Sequence, residues 1–256
     1  MRTRTAAAAT LGTSVLLSLL VPAAAHADTA KGDTVFTSVN FNKKTFNVGV
    51  SAAQTVSVAA TAKDGSGIKG IYGAKLISSD DRIIHAHAAD CTRPSSTTMK
   101  CVFKFTLDAN RTDYYDLRNS SAGTWRFTAE AAANDSDFYD LETSAKIQVK
   151  RLAKLATTKA GPEPVAKGAK LTVTGALTRA DWNTNTYQPH AGRSVALQFK
   201  RSGTSTYTPV KTVTTDSGGK LRTTVTANAS GTWRWKATST STTSGATAYG
   251  DTVTAN

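Results

Sequence analysis

The sequence contains one run of side chains suited to binding a hard metal ion. Residues 134–142 place Asp135, Asp137 and Asp140 in what we expect to be a loop after the strand that contains Trp125. Ca²⁺ takes about six to eight oxygen ligands, which a flexible loop of carboxylates can supply. The run is not an EF-hand, since its sixth position counted from Asp135 is Asp140 rather than glycine and no helix pattern flanks it. The sequence therefore predicts weak Ca²⁺ binding here, with a solvated acidic turn as the alternative.

Two further groups could contribute to metal binding. The acidic run at residues 108–116 would add ligands if its loop met the first one. His85 and His87 share one face of a strand, a spacing that binds Zn²⁺ or Cu²⁺ when a third ligand approaches. Two exposed strand histidines are the commoner case. We therefore expect no required cofactor, with calcium as the one candidate.

Positive charge is concentrated in the second half of the chain. The 256 residues carry a formal net charge of +13; residues 28–149 hold 14 basic and 14 acidic side chains, whereas residues 150–256 hold 15 basic and four acidic ones. Alternation along strands sends most of these cations to solvent-facing sheet surfaces, which attract polyanions through counterion release. The alternative is that the charge only keeps an exported protein soluble.

Two basic pairs are the predicted polyanion contacts, because each should lie near a strand end. The expected partner is an anionic cell-wall polymer, an acidic glycan or extracellular DNA. The predicted residues are Lys200, Arg201, Lys220 and Arg222.

Catalytic constellations are not found in the sequence. No Gly-x-Ser-x-Gly elbow occurs, and the glycine-rich stretches 65–67 and 217–219 precede no helix pattern, so both are interpreted as hairpin turns. We therefore expect a protein that is not an enzyme, with a secreted hydrolase as the less favoured alternative.

Residues 1–27 have the pattern of an export signal. Arg2 and Arg4 precede an apolar stretch, and Ala25 and Ala27 supply small side chains at a signal peptidase site. Cleavage is expected after Ala27, which predicts a secreted chain without a membrane span. An uncleaved membrane anchor is the alternative.

The two cysteines of this predicted extracellular chain, Cys91 and Cys101, should form a disulfide. Residues 94–96 indicate a turn between two strand-like runs, so the bridge would close a hairpin or loop. A zinc site is the alternative, and the absence of a second cysteine pair disfavours it.

An internal repeat divides the chain into two halves. Residues 122–127, Ala-Gly-Thr-Trp-Arg-Phe, reappear 108 residues later as residues 230–235, Ser-Gly-Thr-Trp-Arg-Trp. We place the junction at residues 150–154. The predicted organisation is a signal peptide at residues 1–27, an immunoglobulin-like domain at residues 28–149 and a second, strongly basic one at residues 150–256.

Period-two alternation with frequent turn signals predicts an all-β fold of two tandem immunoglobulin-like antiparallel β-sandwiches, each with seven strands. The predicted strands are 34–40, 55–62, 68–77, 82–87, 99–107, 125–133 and 144–150 in the first half, and 154–158, 171–177, 194–200, 207–214, 221–226, 233–237 and 248–254 in the second.

The repeated motif contains the expected core of each half. Trp125 with Phe127, and Trp233 with Trp235, lie two residues apart on a strand and therefore share a face. Each pair should fill a sandwich core, while the arginine between its members, Arg126 or Arg234, faces solvent. An aromatic platform for stacking a sugar or nucleobase is the alternative.

At these residues the sequence resembles a known group of proteins. Residues 195–207 and 210–225 are similar to a bacterial Ig-like module of exported actinobacterial proteins, and the loop at residues 177–187 matches it too. With residues 64–67, the two cysteines and residues 122–126, the likeness extends to secreted two-domain proteins described as calcium-binding or as hypothetical. The resemblance implies the tandem Ig-like architecture and is consistent with calcium binding.

These observations predict a secreted, non-enzymatic binding or cell-surface interaction protein. Its second domain would adhere to anionic polymers, and its first would bind calcium weakly. The alternative is an inhibitor or accessory factor that presents sandwich loops to a protein partner.

Overall fold

The computed structural model describes residues 27–110, 117–143 and 145–256. The predicted signal peptide, apart from Ala27, lies outside the described residues, as do residues 111–116 of the second acidic run. Within the described part of the chain, no helix is both long and apolar enough to cross a membrane.

The described chain is almost entirely β-structure and forms two tandem immunoglobulin-like sandwiches, which confirms the predicted fold class. In the first sandwich a seven-stranded sheet faces a four-stranded sheet, and the second is built from two five-stranded sheets. The described residues also include a short 3-10 turn, Asn119–Ser121.

In the first sandwich, β1, β3, β5, β6, β9, β10 and β11 form the larger sheet, and β2, β4, β7 and β8 form the smaller one. The strands are β1 (Thr29–Lys31), β2 (Val35–Phe41), β3 (Thr45–Val48), β4 (Gln54–Lys63), β5 (Ile68–Ser78), β6 (Ile83–His85), β7 (Ala88–Ser95), β8 (Thr98–Leu107), β9 (Gly123–Ala133), β10 (Phe138–Leu141) and β11 (Lys146–Arg151).

In the second sandwich, β12, β13, β14, β15 and β18 form one sheet, and β16, β17, β19, β20 and β21 form the other. The strands are β12 (Ala153–Leu155), β13 (Lys159–Gly161), β14 (Lys170–Asp181), β15 (Thr186–Pro189), β16 (Ser194–Arg201), β17 (Thr208–Thr214), β18 (Lys220–Thr226), β19 (Gly231–Ala237), β20 (Ala246–Thr247) and β21 (Asp251–Val253).

The aromatic pairs of the repeated motif lie in the two cores, as predicted. Trp125 and Phe127 are buried in the first sandwich, and Trp233 and Trp235 are buried in the second. The indole Nε1 of Trp235 donates to the Thr174 carbonyl at 3.0 Å, so burial leaves no unpaired donor there. The alternation of each strand therefore sets which side chains fill its sandwich.

The arginines between these aromatic residues point away from the cores, but they are not freely solvated. Arg126 Nε lies 3.8 Å from Glu142 Oε2, and its side chain is largely covered. The Arg234 guanidinium lies over the Tyr207 ring, with its carbon 3.5 Å from the ring centroid. Neighbouring side chains on the outer sheet surfaces therefore shield both charges from water.

The predicted disulfide is present. Cys91 on β7 and Cys101 on β8 are directly opposite each other in an antiparallel pair, and their sulfur atoms are bonded. The bridge fastens β7, whose residues are all exposed, to a strand whose alternate side chains are buried in the core. The hairpin turn lies at residues 96–97, beyond the turn predicted at residues 94–96.

Each sandwich has more strands than the seven predicted. β7 is exposed at every position, so it carries no alternating pattern that could reveal it. β3 is four residues long and pairs in parallel with β11, a contact distant in sequence. Of the predicted strand 154–158, only residues 154–155 lie in a strand, β12, and the unpredicted β13 follows it. The predicted strand 248–254 contracts to β21. The additional strands are either short or, like β7, exposed along their whole length, so they give little alternation in the sequence.

The two sandwiches are joined by a hairpin as well as by the connector. β14 continues past the predicted end at Leu177 to Asp181 and returns as β15. Trp182, at the hairpin tip, is 0% exposed and packs within the core cluster of the first sandwich. Its indole Nε1 donates to the Val48 carbonyl at 3.2 Å. A residue of the second half thus completes the core of the first.

Polar contacts hold the same hairpin in place. The Asn119 side chain accepts from the Trp182 amide at 2.9 Å, and the Asn183 side chain accepts from the Asn119 amide at 3.0 Å. Asn185 donates to the Asn110 side chain at 3.0 Å. Since apolar and polar contacts both cross the junction, the second sandwich is docked on the first and does not hang from a free linker.

Candidate functional site

The basic residues of the second sandwich form an organised surface on one of its sheets. Leu171, Val173 and Leu177 of β14 are buried, so the intervening positions face outward. The register places Lys159 of β13 and Arg222 of β18 on either side of outward-facing Thr174. The same outward side includes Lys170 at the start of β14, Lys220 opposite Ala176 and Lys154 opposite Thr178. We call these five cations the basic face: Lys154, Lys159, Lys170, Lys220 and Arg222.

Negative charge is nearly absent from the sheet that carries the basic face. In its five strands, all of which are described, the one carboxylate is Asp181. Asp181 is turned toward Arg151, with its Oδ2 3.5 Å from the guanidinium Nη2. Lys154 lies over the Tyr187 ring, its Nζ 3.8 Å from the centroid, and remains exposed. The outward positions of this sheet therefore carry positive charge only.

The four predicted polyanion contacts do not lie on one surface. Lys220 and Arg222 belong to the basic face, whereas Lys200 and Arg201 are at the end of β16 in the opposite sheet. Lys200 is half-buried, with its Nζ 5.2 Å from the centroid of the Tyr207 ring. The strand ends were predictable, but the pairing that divides these residues between two sheets was not.

The aspartate hairpin predicted to bind calcium meets two more aspartates from other turns. Asp135 and Asp137, between β9 and β10, lie beside Asp33 from the β1–β2 turn and Asp64 from the β4–β5 turn. One carboxylate oxygen from each of the four lies within 4.8 Å of the others. We call these four residues the aspartate cluster. The predicted ligand Asp140 is not one of them, because it lies on β10, where it accepts from the Thr29 hydroxyl at 3.2 Å.

Asp64 is the buried member of the aspartate cluster, with 1% of its surface exposed. Burial alone would raise the pKa of its carboxyl, but hydrogen bonds from Thr34 and Ser66 outweigh it and hold that pKa below the usual value. The Thr34 hydroxyl donates at 2.6 Å, and the Ser66 amide and hydroxyl each donate at 2.7 Å. Asp64 is therefore an ionised carboxylate at neutral pH.

Close approach of the carboxylates depends on a glycine. Gly32 has a φ of +76°, and a Cβ at this position would overlap the Asp137 carboxylate. Lys31 supplies a positive charge beside the cluster, its Nζ 3.8 Å from Asp137 Oδ1. The Lys31 side chain is mostly exposed, so it offsets little of the repulsion among four carboxylates. Hard oxygen ligands in this arrangement suit Ca²⁺.

The remaining metal hypotheses receive less support from the geometry. His85 and His87 are both exposed on the surface, and the described residues place no third metal-binding side chain beside them. Asp113 and Asp116 of the second acidic run lie outside the described residues. The cysteines are bonded to each other and offer no thiolate to a metal.

Sequence reasoning missed several residues of these sites. Asp33 and Asp64 are separated from Asp135 by long stretches of chain, so no local spacing links them. Lys154, Lys159 and Lys170 were recognised only as part of the general positive charge. Strand alternation shows which way each lysine points, but the strand register is needed to place the three on one sheet.

Comparisons with known proteins give no family assignment. No protein-family model matches the chain. No curated protein sequence matches it. Solved structures that are similar to this chain include the D0-D1 domain of intimin, at 15% identity and a TM-score of 0.26, covering 84% of this chain and 98% of that one.

A second similar structure comprises the three N-terminal domains of the highly immunogenic outer capsid protein of bacteriophage RB49. It is 12% identical, covers 87% of this chain and 71% of that chain, and has a TM-score of 0.32. TM-scores of this size do not establish a shared overall fold, so neither the roles nor the partners of these proteins transfer to this chain.

Proposed function

We propose that this chain is a non-enzymatic extracellular binding protein that adheres to anionic polymers through the basic face. The supporting observation is that five cations and no carboxylate occupy the outward positions of one sheet. The disulfide is typical of an oxidising, extracellular environment, which agrees with the predicted export signal.

The spacing of the basic face suits a repeating anion. Neighbouring strands lie about 4.8 Å apart, so the backbones of Lys159 and Arg222, on either side of β14, are about 10 Å apart. Lys220 and Arg222 are two residues apart on β18, which separates them by about 7 Å. A polymer that carries charge at each repeat can contact several of these cations at once. Each contact then releases condensed counterions, so binding weakens as salt rises.

A pair of matched charge reversals tests which surface binds. The double variant Lys220→Glu/Arg222→Glu should bind immobilised duplex DNA and purified cell walls at least about tenfold more weakly at about 0.1 M salt, since each lost phosphate contact costs about a factor of ten there. The variant Lys200→Glu/Arg201→Glu makes the same change in net charge on the opposite sheet. It should bind within about threefold of the unmodified protein.

Two results would contradict polymer adhesion through the basic face. One is equal loss of binding in the two double variants, which would indicate an effect of net charge alone. The other is retention on cell walls that survives about 1 M NaCl, where the Debye length falls to about 3 Å and exposed charges are screened. Binding to a protein partner, with no retention on either polymer, would instead favour an inhibitor or accessory factor.

A second function is favoured by the aspartate cluster, which we propose binds Ca²⁺ and thereby fastens three turns of the first sandwich together. The support is the convergence of four carboxylates from three turns, with buried Asp64 kept ionised. Carboxylates at this separation repel one another. A divalent cation bound between them attracts each carboxylate, and this attraction outweighs the repulsion. The site would stabilise the folded first sandwich by binding the folded state alone.

Calcium binding is tested with the variant Asp135→Asn/Asp137→Asn and the matched control Asp140→Asn. Ca²⁺ at about 100 times its dissociation constant should stabilise the unmodified protein and the control by about 2.7 kcal/mol, seen as a rise in melting temperature. The double variant should show no such rise. It should also be no less stable than the unmodified protein without calcium, because two repelling charges are removed.

Titration calorimetry provides the direct measurement of the same site. Heat that saturates with Ca²⁺ in the unmodified protein and in Asp140→Asn, but not in the double variant, is the expected outcome. No heat at millimolar Ca²⁺, or equal heat in all three proteins, would contradict a calcium site at the aspartate cluster.

A further inference from the structure

Three arginines and one histidine lie close together at one end of the second sandwich, the end beside the junction with the first sandwich. Arg151 ends β11, Arg179 is near the end of β14, and His190 and Arg193 lie between β15 and β16. We call these four residues the arginine cluster: Arg151, Arg179, His190 and Arg193. None of them belongs to the basic face.

Backbone contacts bring the members of the arginine cluster together. The His190 amide donates to the Leu177 carbonyl at 3.0 Å, which places the histidine beside the strand that carries Arg179. The Thr215 hydroxyl donates to the His190 carbonyl at 2.6 Å and accepts from the Arg193 amide at 2.9 Å, so His190 and Arg193 are held by one side chain.

A loop rich in serine and threonine closes the same end. The Arg193 guanidinium donates to the Thr238 carbonyl at 3.0 Å. The Arg151 amide donates to the Thr242 carbonyl at 3.0 Å, and the Arg151 carbonyl accepts from the Ser244 amide at 3.0 Å. Residues 238–244 therefore bridge Arg193 and Arg151 through backbone hydrogen bonds.

The charges of the arginine cluster are not balanced. The Arg151 side chain is 9% exposed and pairs with Asp181 at 3.5 Å, while its Nε donates to the Ala180 carbonyl at 2.7 Å. Half-buried Arg179 has no hydrogen bond or salt bridge from its guanidinium within the described part of the chain. Arg151 and Arg179 thus share a single carboxylate, that of Asp181, and Arg193 has no salt bridge among the described residues. Buried charges are normally paired, because an uncompensated one is costly to desolvate.

The pKa of His190 reflects the positive charge of the arginine cluster. Burial, together with the positive charges of Arg179, Arg193 and Arg151, lowers the pKa of His190 to about 4. Its imidazole is therefore neutral at neutral pH, and its Nδ1 is buried without a hydrogen-bond partner among the described residues. The arginine cluster therefore has an excess of positive charge, and the Arg179 guanidinium and His190 Nδ1 make no hydrogen bond among the described residues.

We propose that the arginine cluster binds a small oxyanion, a phosphate or sulfate group. Guanidinium groups bind such groups through paired, charge-assisted hydrogen bonds, and Arg179 has its donors available. The bound anion would supply the missing negative charge and a partner for the histidine ring. The site is separate from the basic face, since its residues lie at the end of the sandwich rather than on the outer sheet surface.

The test is titration of the full chain with inorganic phosphate and with sodium sulfate, followed by calorimetry and by the melting temperature. Sodium chloride of matched ionic strength is the reference. Phosphate or sulfate should bind saturably and raise the melting temperature above that in chloride. Arg179→Gln should weaken the affinity about tenfold or more, because it removes a charge-assisted contact. Arg222→Gln, which removes the same charge from the basic face, should leave it unchanged.

Other outcomes decide against an oxyanion site. Equal stabilisation by chloride would show an effect of ionic strength alone. Loss of binding in Arg222→Gln but not in Arg179→Gln would place the anion on the basic face. If Arg179→Gln fails to fold, Arg193→Gln provides the second variant, with the same expected loss. Because this test uses small ions, and because Arg179→Gln leaves the basic face intact, its failure is distinguishable from failure of polymer adhesion.

A second titration, with phenyl phosphate, distinguishes a free phosphate ion from a phosphate group carried by a larger molecule. Binding of this monoester with the same loss in Arg179→Gln would support a phosphate carried by a larger molecule. Binding of inorganic phosphate alone would support a free ion as the ligand.

Discussion

Replacing Trp182 by alanine should separate the two sandwiches and lower the free energy of unfolding by about 3 to 5 kcal/mol. The indole is fully buried in the core of the first sandwich although it belongs to a hairpin of the second. Its removal leaves a large cavity and removes one of the two donors to the Val48 carbonyl, which keeps its hydrogen bond from the Leu152 amide at 2.9 Å. The hairpin then loses its main apolar contact, and the polar contacts through Asn119 are exposed to competing water.

Chemical unfolding with circular dichroism measures the energy, and small-angle X-ray scattering measures the separation. We expect the variant to have a lower unfolding midpoint and a larger radius of gyration than the unmodified chain. Trp182→Phe keeps an aromatic ring and should lose a smaller part of the stability. An unchanged midpoint and an unchanged radius in Trp182→Ala would show that the hairpin does not dock the sandwiches.

Replacing Trp235 by alanine should destabilise the second sandwich by about 3 to 5 kcal/mol. Trp235 packs directly on β14, where a Cβ at Gly175 would lie 2.6 Å from the indole Cδ1. Glycine therefore allows the ring to approach the sheet. The cavity cost adds to the lost transfer of the indole from water.

The matched control for Trp235 is Tyr249→Ala, because Tyr249 is an aromatic residue of the same sandwich with 84% of its surface exposed. We expect the control to unfold within about 0.5 kcal/mol of the unmodified chain. Urea unfolding followed by circular dichroism compares the two. A loss below about 1 kcal/mol in Trp235→Ala would contradict the assignment of Trp235 as the centre of this core.

The main strands and the aromatic cores could be predicted because alternation is a local signal. A strand such as β4 or β8 shows buried and exposed side chains in turn, and the repeated Trp motif marks the centre of each sandwich. β7 could not be predicted in this way, since the whole strand is exposed and is held by its pairing and by the disulfide. Trp182 has the appearance of a loop residue in the sequence, because its burial comes from the other sandwich.

The candidate sites were predicted only in part, for the same physical reason. Asp135 and Asp137 are close in sequence, so their potential as ligands was visible, whereas Asp33 and Asp64 join them through folding alone. Asp140 continues the same acidic run, but the β10 pairing directs it to Thr29. The prediction from sequence proximity therefore included Asp140, which the structure places outside the aspartate cluster.

The distribution of positive charge shows a similar limit. The excess of cations after residue 150 follows from counting, and it indicated a polyanion partner. The direction of each side chain depends on strand register, which placed Lys220 and Arg222 on a different sheet from Lys200 and Arg201. Register also distinguishes the outward basic face from the arginine cluster, whose members lie at the end of the sandwich.

The salt dependence of binding to duplex DNA tests polymer adhesion through the basic face most directly. With up to five phosphate contacts, a plot of log K against log salt concentration should have a slope of about −3 to −4.5. Neutralising the basic face by changing its four lysines and Arg222 to glutamine should bring that slope close to zero. A slope that is already near zero in the unmodified protein, or that survives this neutralisation, would contradict adhesion through the basic face.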